Sequence, residues 1–241
     1  MPQLALKCVR SWKRFCKGYD LVEWNEKTFD INEAPEYVKQ AYAAKKWAFV
    51  TDYVRLYALY NYGGIYMDTD VEVVKSLDKF LQMNGFSGFE QDTSVQTGIM
   101  AAEKGHALIH EWLKEYDDKK FLLPDGTLNQ ETNVVAITRH MKELGLKLDN
   151  SLQTVCQITF YPKEFFCPKD PENWNICKTG NTHTIHHFAG SWLAKEEIEA
   201  HRKYLKKERK RKRHRRYKDL IKKIIGEKMY NLIKSQVKKA N

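Results

Sequence analysis

Asp68 and Asp70 stand one residue apart, directly after Ile65-Tyr-Met, an apolar run that predicts a short buried strand. In extended chain, side chains two positions apart point the same way, so one divalent cation could meet both carboxylates. A hard cation with open coordination positions would bridge a diphosphate and stabilise negative charge on a leaving group. Asp68 would then lie at the carboxyl end of its strand, where open α/β sheets bind ligands. Upstream, Asp52 and Arg55 are spaced i, i+3 and share one helix face. They either orient a ligand together or form an intrahelical ion pair of about 0.2–0.5 kcal/mol. Gly63-Gly64 lies between the two groups. It either ends the helix or lets helix and strand close on one ligand.

A second constellation is His183-Thr-Ile-His186-His187-Phe-Ala-Gly-Ser191-Trp192. Alternation along a strand puts His186 and His187 on opposite faces, so one of them at most faces a common site. That histidine could complete a metal shell while Trp192 covers a bound ligand. The alternative is a partly buried histidine beside a core tryptophan. Cys167, Cys177, His183 and His186 match no standard zinc spacing, and no phosphate-binding P-loop, G-x-G-x-x-G or H-E-x-x-H is present.

The elements that must position these groups follow from periodicity. Leu4, Leu6, Val9, Trp12 and Phe15 predict a helix ending near Gly18, and Tyr19–Trp24 alternates as a strand. Pro35 opens a helix to about Ala44, and Trp47–Tyr60 carries a wide apolar stripe that stops at Gly63-Gly64. Ile65-Tyr-Met, Val71-Glu-Val-Val, Gly85–Glu90, Thr97–Ala101, 152–160 and 182–188 are strand candidates, with helices at about 106–116 and 132–144. This alternation predicts an α/β domain with a largely parallel sheet.

The 241 residues carry a net charge of +10, but unevenly. Residues 195–241 hold 19 Lys and Arg against 6 Asp and Glu, a net of +13. The preceding 194 hold 22 against 25, a net of −3. The chain therefore divides into a mildly acidic body, 1–194, and a basic tail, 195–241. Arg202–Arg216 is nearly continuous positive charge, and 217–237 places Tyr217, Leu220, Ile221, Ile224, Ile225, Met229, Leu232, Ile233 and Val237 on one helical face opposite lysines. Such a basic amphipathic helix fits an anionic membrane surface over 202–237. Nucleic acid ranks behind it, because the basic run lacks interleaved aromatics and the body is acidic. Five cysteines without a C-x-x-C pair fit a reducing compartment. No long apolar stretch opens the chain, which predicts a cytoplasmic protein, peripheral on the inner face of the membrane.

Phe49-Val-Thr-Asp-Tyr-Val-Arg-Leu-Tyr-Ala-Leu-Tyr-Asn-Tyr-Gly-Gly-Ile-Tyr-Met-Asp-Thr-Asp-Val-Glu-Val resembles the signature of glycosyltransferase family 32. That family includes bacterial capsular polysaccharide transferases and yeast-type initiating mannosyltransferases, and the glucosylating clostridial toxins are similar around this motif. The resemblance runs from about Leu4 to Trp192. It implies a GT-A-like fold with a mixed, mostly parallel sheet flanked by helices. It also implies a nucleotide-sugar donor, Mn²⁺ or Mg²⁺, and retaining transfer to a glycan or lipid-linked glycan acceptor in surface or capsular polysaccharide synthesis. Asp52 and Arg55 would act in catalysis on the donor sugar, with Tyr66 beside the pocket. Asp68 would lie near the donor's ribose and sugar, and Asp70 would be the more direct metal ligand. His186 or His187, with Ser191 and Trp192, would close on metal and diphosphate. Family members open with a strand of the type Ile-Pro-Lys-Ile-Ile-His-Tyr-x-Trp-Phe-Gly before the first helix, and that strand is expected to be absent here. The corresponding alternative is a truncated, inactive glycosyltransferase-like protein that binds membrane or partners through its basic tail. Thr132-Asn-Val stands where relatives carry Thr-Gly-Pro, a difference expected to bear on the acceptor side.

Overall fold

A helix of sixteen residues, α3 (Trp47–Tyr62), carries Asp52 and Arg55 and buries half of its side chains, because apolar residues occupy nearly every face. It stops at Gly63, whose φ of +71° and ψ of −166° belong to a region open essentially to glycine alone. A Cβ there would also lie 2.7 Å from the Lys104 backbone nitrogen, so the chain turns against its neighbour with no room for a side chain. The turn delivers Gly64 directly into β1 (Gly64–Met67).

The computed structural model describes residues 1–170 and 174–190, together with Lys207, Lys210, Arg211, Arg213, Lys222, Lys223 and Gly226. The chain divides into two compact units, Met1–Trp192 and Leu193–Asn241. In the second unit the six described basic residues are helical, and most of the basic run 202–216 and the apolar face 217–237 lies outside the described residues. No helix among the described residues is long and apolar enough to cross a membrane.

In the first unit, α1 (Gln3–Phe15) is followed by α2 (Glu36–Ala43), α3, β1 and β2 (Val71–Val73). Then come β3 (Gly85–Gln91), β4 (Ser94–Val95), β5 (Ile99–Ala102), α4 (Ala107–Lys114) and α5 (Asn133–Glu143). The hairpin β6 (Gln153–Val155) and β7 (Ile158–Tyr161), the short α6 (Lys163–Phe166) and β8 (Thr184–His186) complete the unit. The main sheet has the order β1-β5-β3-β7-β6, with β4 on β3, and β2 pairs with β8 separately.

Both faces of the main sheet are covered, which explains the unbroken apolar run of β5. Met100 and Ala102 join one core with residues of α2, α3, α4 and α5. Ile99 and Ala101 join a second core with Phe80, Phe86 and Phe166. On that side α1 seats against β2: Trp12 Nε1 donates to the Val71 carbonyl at 2.7 Å, and Val73 N–H donates to Ser11 Oγ at 2.9 Å.

The sheet is mixed, as expected, but not mostly parallel. Among the described residues only β3 and β7 pair in parallel, while β1·β5, β3·β5, β3·β4, β6·β7 and β2·β8 are antiparallel. Short loops account for two of these pairs, β3·β4 and β6·β7, since a tight hairpin reverses the chain and a parallel pair needs a long crossover. The 152–160 segment is such a hairpin, turned by Cys156 and Gln157 at φ +48° and +65°. Tyr19–Trp24 is not a strand. It has no regular secondary structure, Leu21 and Val22 are exposed at 45% and 66%, and Trp24 packs on Tyr57 and Tyr62. Alternation reports extended chain and is silent about whether a sheet edge stands beside it. Nor is β1 a fully buried strand: it is the half-buried edge of the main sheet.

Candidate functional site

The helix spacing of Asp52 and Arg55 does bring them together, in a buried setting. Arg55 Nη2 lies 3.0 Å from Asp52 Oδ1 and 3.4 Å from Asp68 Oδ1, so one guanidinium links α3 to the end of β1. Its Nη1 donates to the Thr97 carbonyl at 2.5 Å, and its planar group lies 4.9 Å over the Tyr66 ring. Tyr66 in turn donates its hydroxyl to Asp68 Oδ1 at 2.8 Å. Burial alone would lower Arg55, but Asp68, Tyr66 and Asp52 carry it above its ordinary value, so it stays charged. Burial also pushes the Asp52 carboxyl up, against the pull of Arg55 and of the Asn133 N–H.

Asn133 is a site residue that periodicity does not reveal. Its backbone N–H donates to Asp52 Oδ2 at 3.0 Å and its side-chain amide to the Asp52 carbonyl at 2.7 Å. Thr132 offers α5 no side-chain cap. The Asp52 carboxylate therefore occupies the N-terminus of α5, where free N–H groups and the helix dipole favour negative charge. Tyr116 completes the chain of bonds by donating to Asn133 Oδ1 at 2.7 Å. The Thr132-Asn-Val departure thus acts on Asp52, through bonds that a glycine at 133 would halve.

Asp68 and Asp70 converge by a route other than extended chain. After Met67 the backbone turns, with Val71 N–H donating to the Asp68 carbonyl at 2.9 Å. Asp68 is pinned by its own N–H on the Gly98 carbonyl at 2.8 Å. Asp70 faces β8: its Oδ1 lies 3.4 Å from His186 Nε2, and its Oδ2 accepts from the Ala189 N–H at 2.7 Å. Burial would raise Asp70, but the His186 imidazole and the Ala189 N–H outweigh it and bring the carboxyl down to about 2. Burial would lower His186, and the Asp70 carboxylate lifts it well above the ordinary imidazole range.

The two histidines part as alternation requires. His187 Nε2 sits 2.8 Å from Glu72, which also takes Lys7 at 2.7 Å, on the side of α1. His186 joins Asp68 and Asp70, and one ligand atom from each of the three lies within 4.8 Å of the others. Two carboxylates and one imidazole suit Mn²⁺ or Mg²⁺ chemically, the carboxylates being hard oxygen donors and the imidazole favouring the softer Mn²⁺. His186 Nδ1 is buried and has no hydrogen-bond partner among the described residues. Ser191 and Trp192 lie outside the described residues.

Two further polar groups stand at this corner without any sequence signal. Gln96 is fully buried, and neither its amide nitrogen nor its amide oxygen has a hydrogen-bond partner among the described residues. Glu90, near the end of β3, has its carboxyl pushed up by burial and feels the charges of His186 and Asp68. Neither belongs to a spaced pattern in the sequence.

Residues 2–87 match the family profile described as a glycosyltransferase sugar-binding region containing a DXD motif. Over 73 residues the chain is 38% identical to an uncharacterized protein of Arabidopsis thaliana, covering 29% of this chain and 11% of that protein. The chain thus spans about a tenth of the length of this relative. No solved structure matches. The similarity holds Asp52, Arg55 and Tyr66, and its Asp-x-Asp is Asp68-Thr69-Asp70; over residues 2–87 the chain is similar to a glycosyltransferase sugar-binding region.

Proposed function

We propose that the chain is a metal-dependent, retaining glycosyltransferase of the family 32 type with a GT-A-like fold, transferring a sugar from a nucleotide-sugar donor to a glycan or lipid-linked glycan acceptor in surface or capsular polysaccharide synthesis. The observation that carries the reading is the meeting of Asp68, Asp70 and His186 within 4.8 Å, beside a buried Asp52–Arg55–Asp68 network. Asp70 and His186 would hold Mn²⁺ or Mg²⁺ with Asp68, and the cation would supply charge neutralisation at the donor diphosphate. Arg55 and Asp52 orient the donor sugar, and Tyr66 fixes the carboxylate of Asp68 by its hydroxyl bond. The imidazole of His186 must lose its proton before it can act as a ligand. Ser191 and Trp192 close on the diphosphate, and the basic segment 202–237 holds the enzyme at an anionic cytoplasmic membrane surface. No enzyme base is assigned, because retention in this fold needs no enzyme nucleophile.

The deciding experiment is Mn²⁺-dependent hydrolysis of common sugar nucleotides by the purified chain and by Asp70→Ala. Loss of hydrolysis in the variant, and on removal of metal by EDTA from the parent, is expected. Full activity in Asp70→Ala would end the metal assignment.

A further inference from the structure

The inner face of α1 is apolar and seated on β2, and its outer face carries charge of one sign. Ala5 and Cys8 are buried, and Trp12 and Phe15 pack on the second core. Gln3, Leu6, Lys7, Arg10, Lys13 and Arg14 are exposed. Their spacings of three and four put them on one stripe about 17 Å long, which Lys17 continues just past the helix end. Residues 1–17 hold five Lys and Arg and no Asp or Glu, whereas residues 18–194 hold 17 against 25. An acidic body thus carries one helix of the opposite sign.

Of the five basic residues, Lys7 has an ion-pair partner among the described residues, Glu72 at 2.7 Å. Arg10, Lys13, Arg14 and Lys17 have none there, and α1 offers no acid three or four positions away to pair with them. Beside the stripe a groove of about 270 Å³ opens between α1 and β2. Lys7, Arg10 and Arg14 line one wall, and Glu72, Val73 and Val74 the other. Glu72 is taken by Lys7 and by His187 at 2.8 Å, which leaves Arg10 and Arg14 as the uncompensated charges of the groove.

We propose that this face of α1 is a docking surface for an anionic lipid bilayer, with headgroup phosphates seated at Arg10 and Arg14. A plane of negative charge complements the stripe along its whole length. Nucleic acid fits it less well, because the aromatic residues of the helix, Trp12 and Phe15, turn inward and leave no ring to stack on a base. The exposed Leu6 within the stripe gains from the interfacial layer of a bilayer and not from a phosphate backbone. The surface belongs to the first unit and is distinct from the basic segment 202–237. Its Lys7 end lies close to the metal corner, since Glu72 joins Lys7 to His187, whose N–H donates to the Asp70 carbonyl at 3.1 Å.

Partition of the full chain onto phosphatidylcholine vesicles, with and without phosphatidylserine and at limiting lipid, tests the proposal. The parent should bind the anionic vesicles, and less so as salt is raised. Each basic side chain at such a surface is worth about a fivefold change in partition. Arg10→Gln with Arg14→Gln should therefore weaken binding by about 10- to 30-fold, and Arg10→Lys with Arg14→Lys should recover most of that loss. Lys142 and Lys147 are exposed beside Met141 and Leu146, which enter the core on the opposite side of the main sheet. Lys142→Gln with Lys147→Gln deletes the same charge and should leave partition near the parent value. No binding by the parent, or an unchanged partition in the Arg10→Gln, Arg14→Gln pair, overturns the proposal. So does equal weakening by the Lys142→Gln, Lys147→Gln pair, which would make net charge the cause, or a loss that the lysine pair fails to recover. Displacement from vesicles by inorganic phosphate beyond that by chloride at equal ionic strength would replace the surface with a single-anion pocket. Loss of duplex oligonucleotide binding in the glutamine pair, with vesicle binding kept, would assign the face to nucleic acid. None of these measurements uses a sugar nucleotide, so the outcome stands apart from the sugar-transfer reading.

Discussion

Replacing Arg55 by methionine keeps most of the side-chain volume and deletes the charge. Arg55 is 5% exposed, and its guanidinium serves Asp52 at 3.0 Å, Asp68 at 3.4 Å and the Thr97 carbonyl at 2.5 Å. Without it the Asp52 carboxylate is buried beside the Asp68 carboxylate, with the Asn133 N–H as its remaining close donor. Removing one partner of a buried pair costs about 3–5 kcal/mol. For a unit of this size that lowers the melting temperature by about 6–20 °C. The loss should shrink in acid: freed of Arg55, the folded-state pKa of Asp52 rises still further above its unfolded value. An acid raised in that way destabilises as pH rises through its folded pKa and is harmless below its unfolded one. Urea unfolding with EDTA present, at pH 7 and again near pH 4.5, measures both effects. The double variant Asp52→Asn with Arg55→Met should recover part of the loss, giving a strong non-additive coupling between the two sites. A loss below about 0.5 kcal/mol, the range of an exposed i, i+3 pair, would refute the buried network.

Gly63→Ala should destabilise by about 2 kcal/mol or more, because alanine is strained at φ +71° and its Cβ would meet the Lys104 backbone at 2.7 Å; calorimetry with no shift in melting temperature would contradict the turn. Gly98→Ala has no such backbone strain and instead drives the His186 ring aside, so it should reduce Mn²⁺ affinity at least tenfold with a smaller stability loss, as read by titration calorimetry. Mn²⁺ affinity should rise with pH across the neutral range, since the proton that Asp70 holds on His186 competes with the metal; a flat profile would separate His186 from the ligand set. In the metal-free chain the depressed Asp70 carboxyl, at about 2 against 3.8, adds about 2 kcal/mol of stability above pH 4 that is lost as pH falls toward 2. His186, raised, contributes below 6.5 and loses that contribution as pH rises through its folded value, so an acid limb in urea midpoints and a shallow alkaline one are expected.

Much of the local order is written in short-range spacing. The stripe of α3, the stop at Gly63, the i, i+3 pairing of Asp52 with Arg55 and the division of His186 from His187 all follow from helix and strand periods. Spacing fails where a residue's role depends on what lies across the fold. Tyr19–Trp24 alternates like a strand, yet no described strand pairs with it. The parallel sheet implied by alternating elements gave way in part to hairpins, whose turns at 92–93 and 156–157 are too short to be weighed by element order alone, and in part to the long-range antiparallel pairs β1·β5 and β2·β8.

The Asp-x-Asp itself shows how a correct pairing can rest on a mistaken geometry. Extended chain would have pointed both carboxylates outward from one strand face. In the fold a turn bends Asp70 away from β1 and toward β8, so the two carboxylates are held by different elements. Asp68 is fixed from the side of α3 by Tyr66 and Arg55, and Asp70 from the side of β8 by His186 and Ala189. The corner therefore depends on β2 pairing with β8, a contact between residues more than a hundred positions apart. Weakening that ribbon, for instance by Val73→Pro, which cannot donate the N–H that Ser11 now accepts, should uncouple Asp70 from Asp68 while leaving the Asp52–Arg55–Asp68 network in place. Mn²⁺ binding would then be lost with the Arg55 network still resisting urea, and retention of the metal would show that Asp68 and Asp70 hold together without the ribbon.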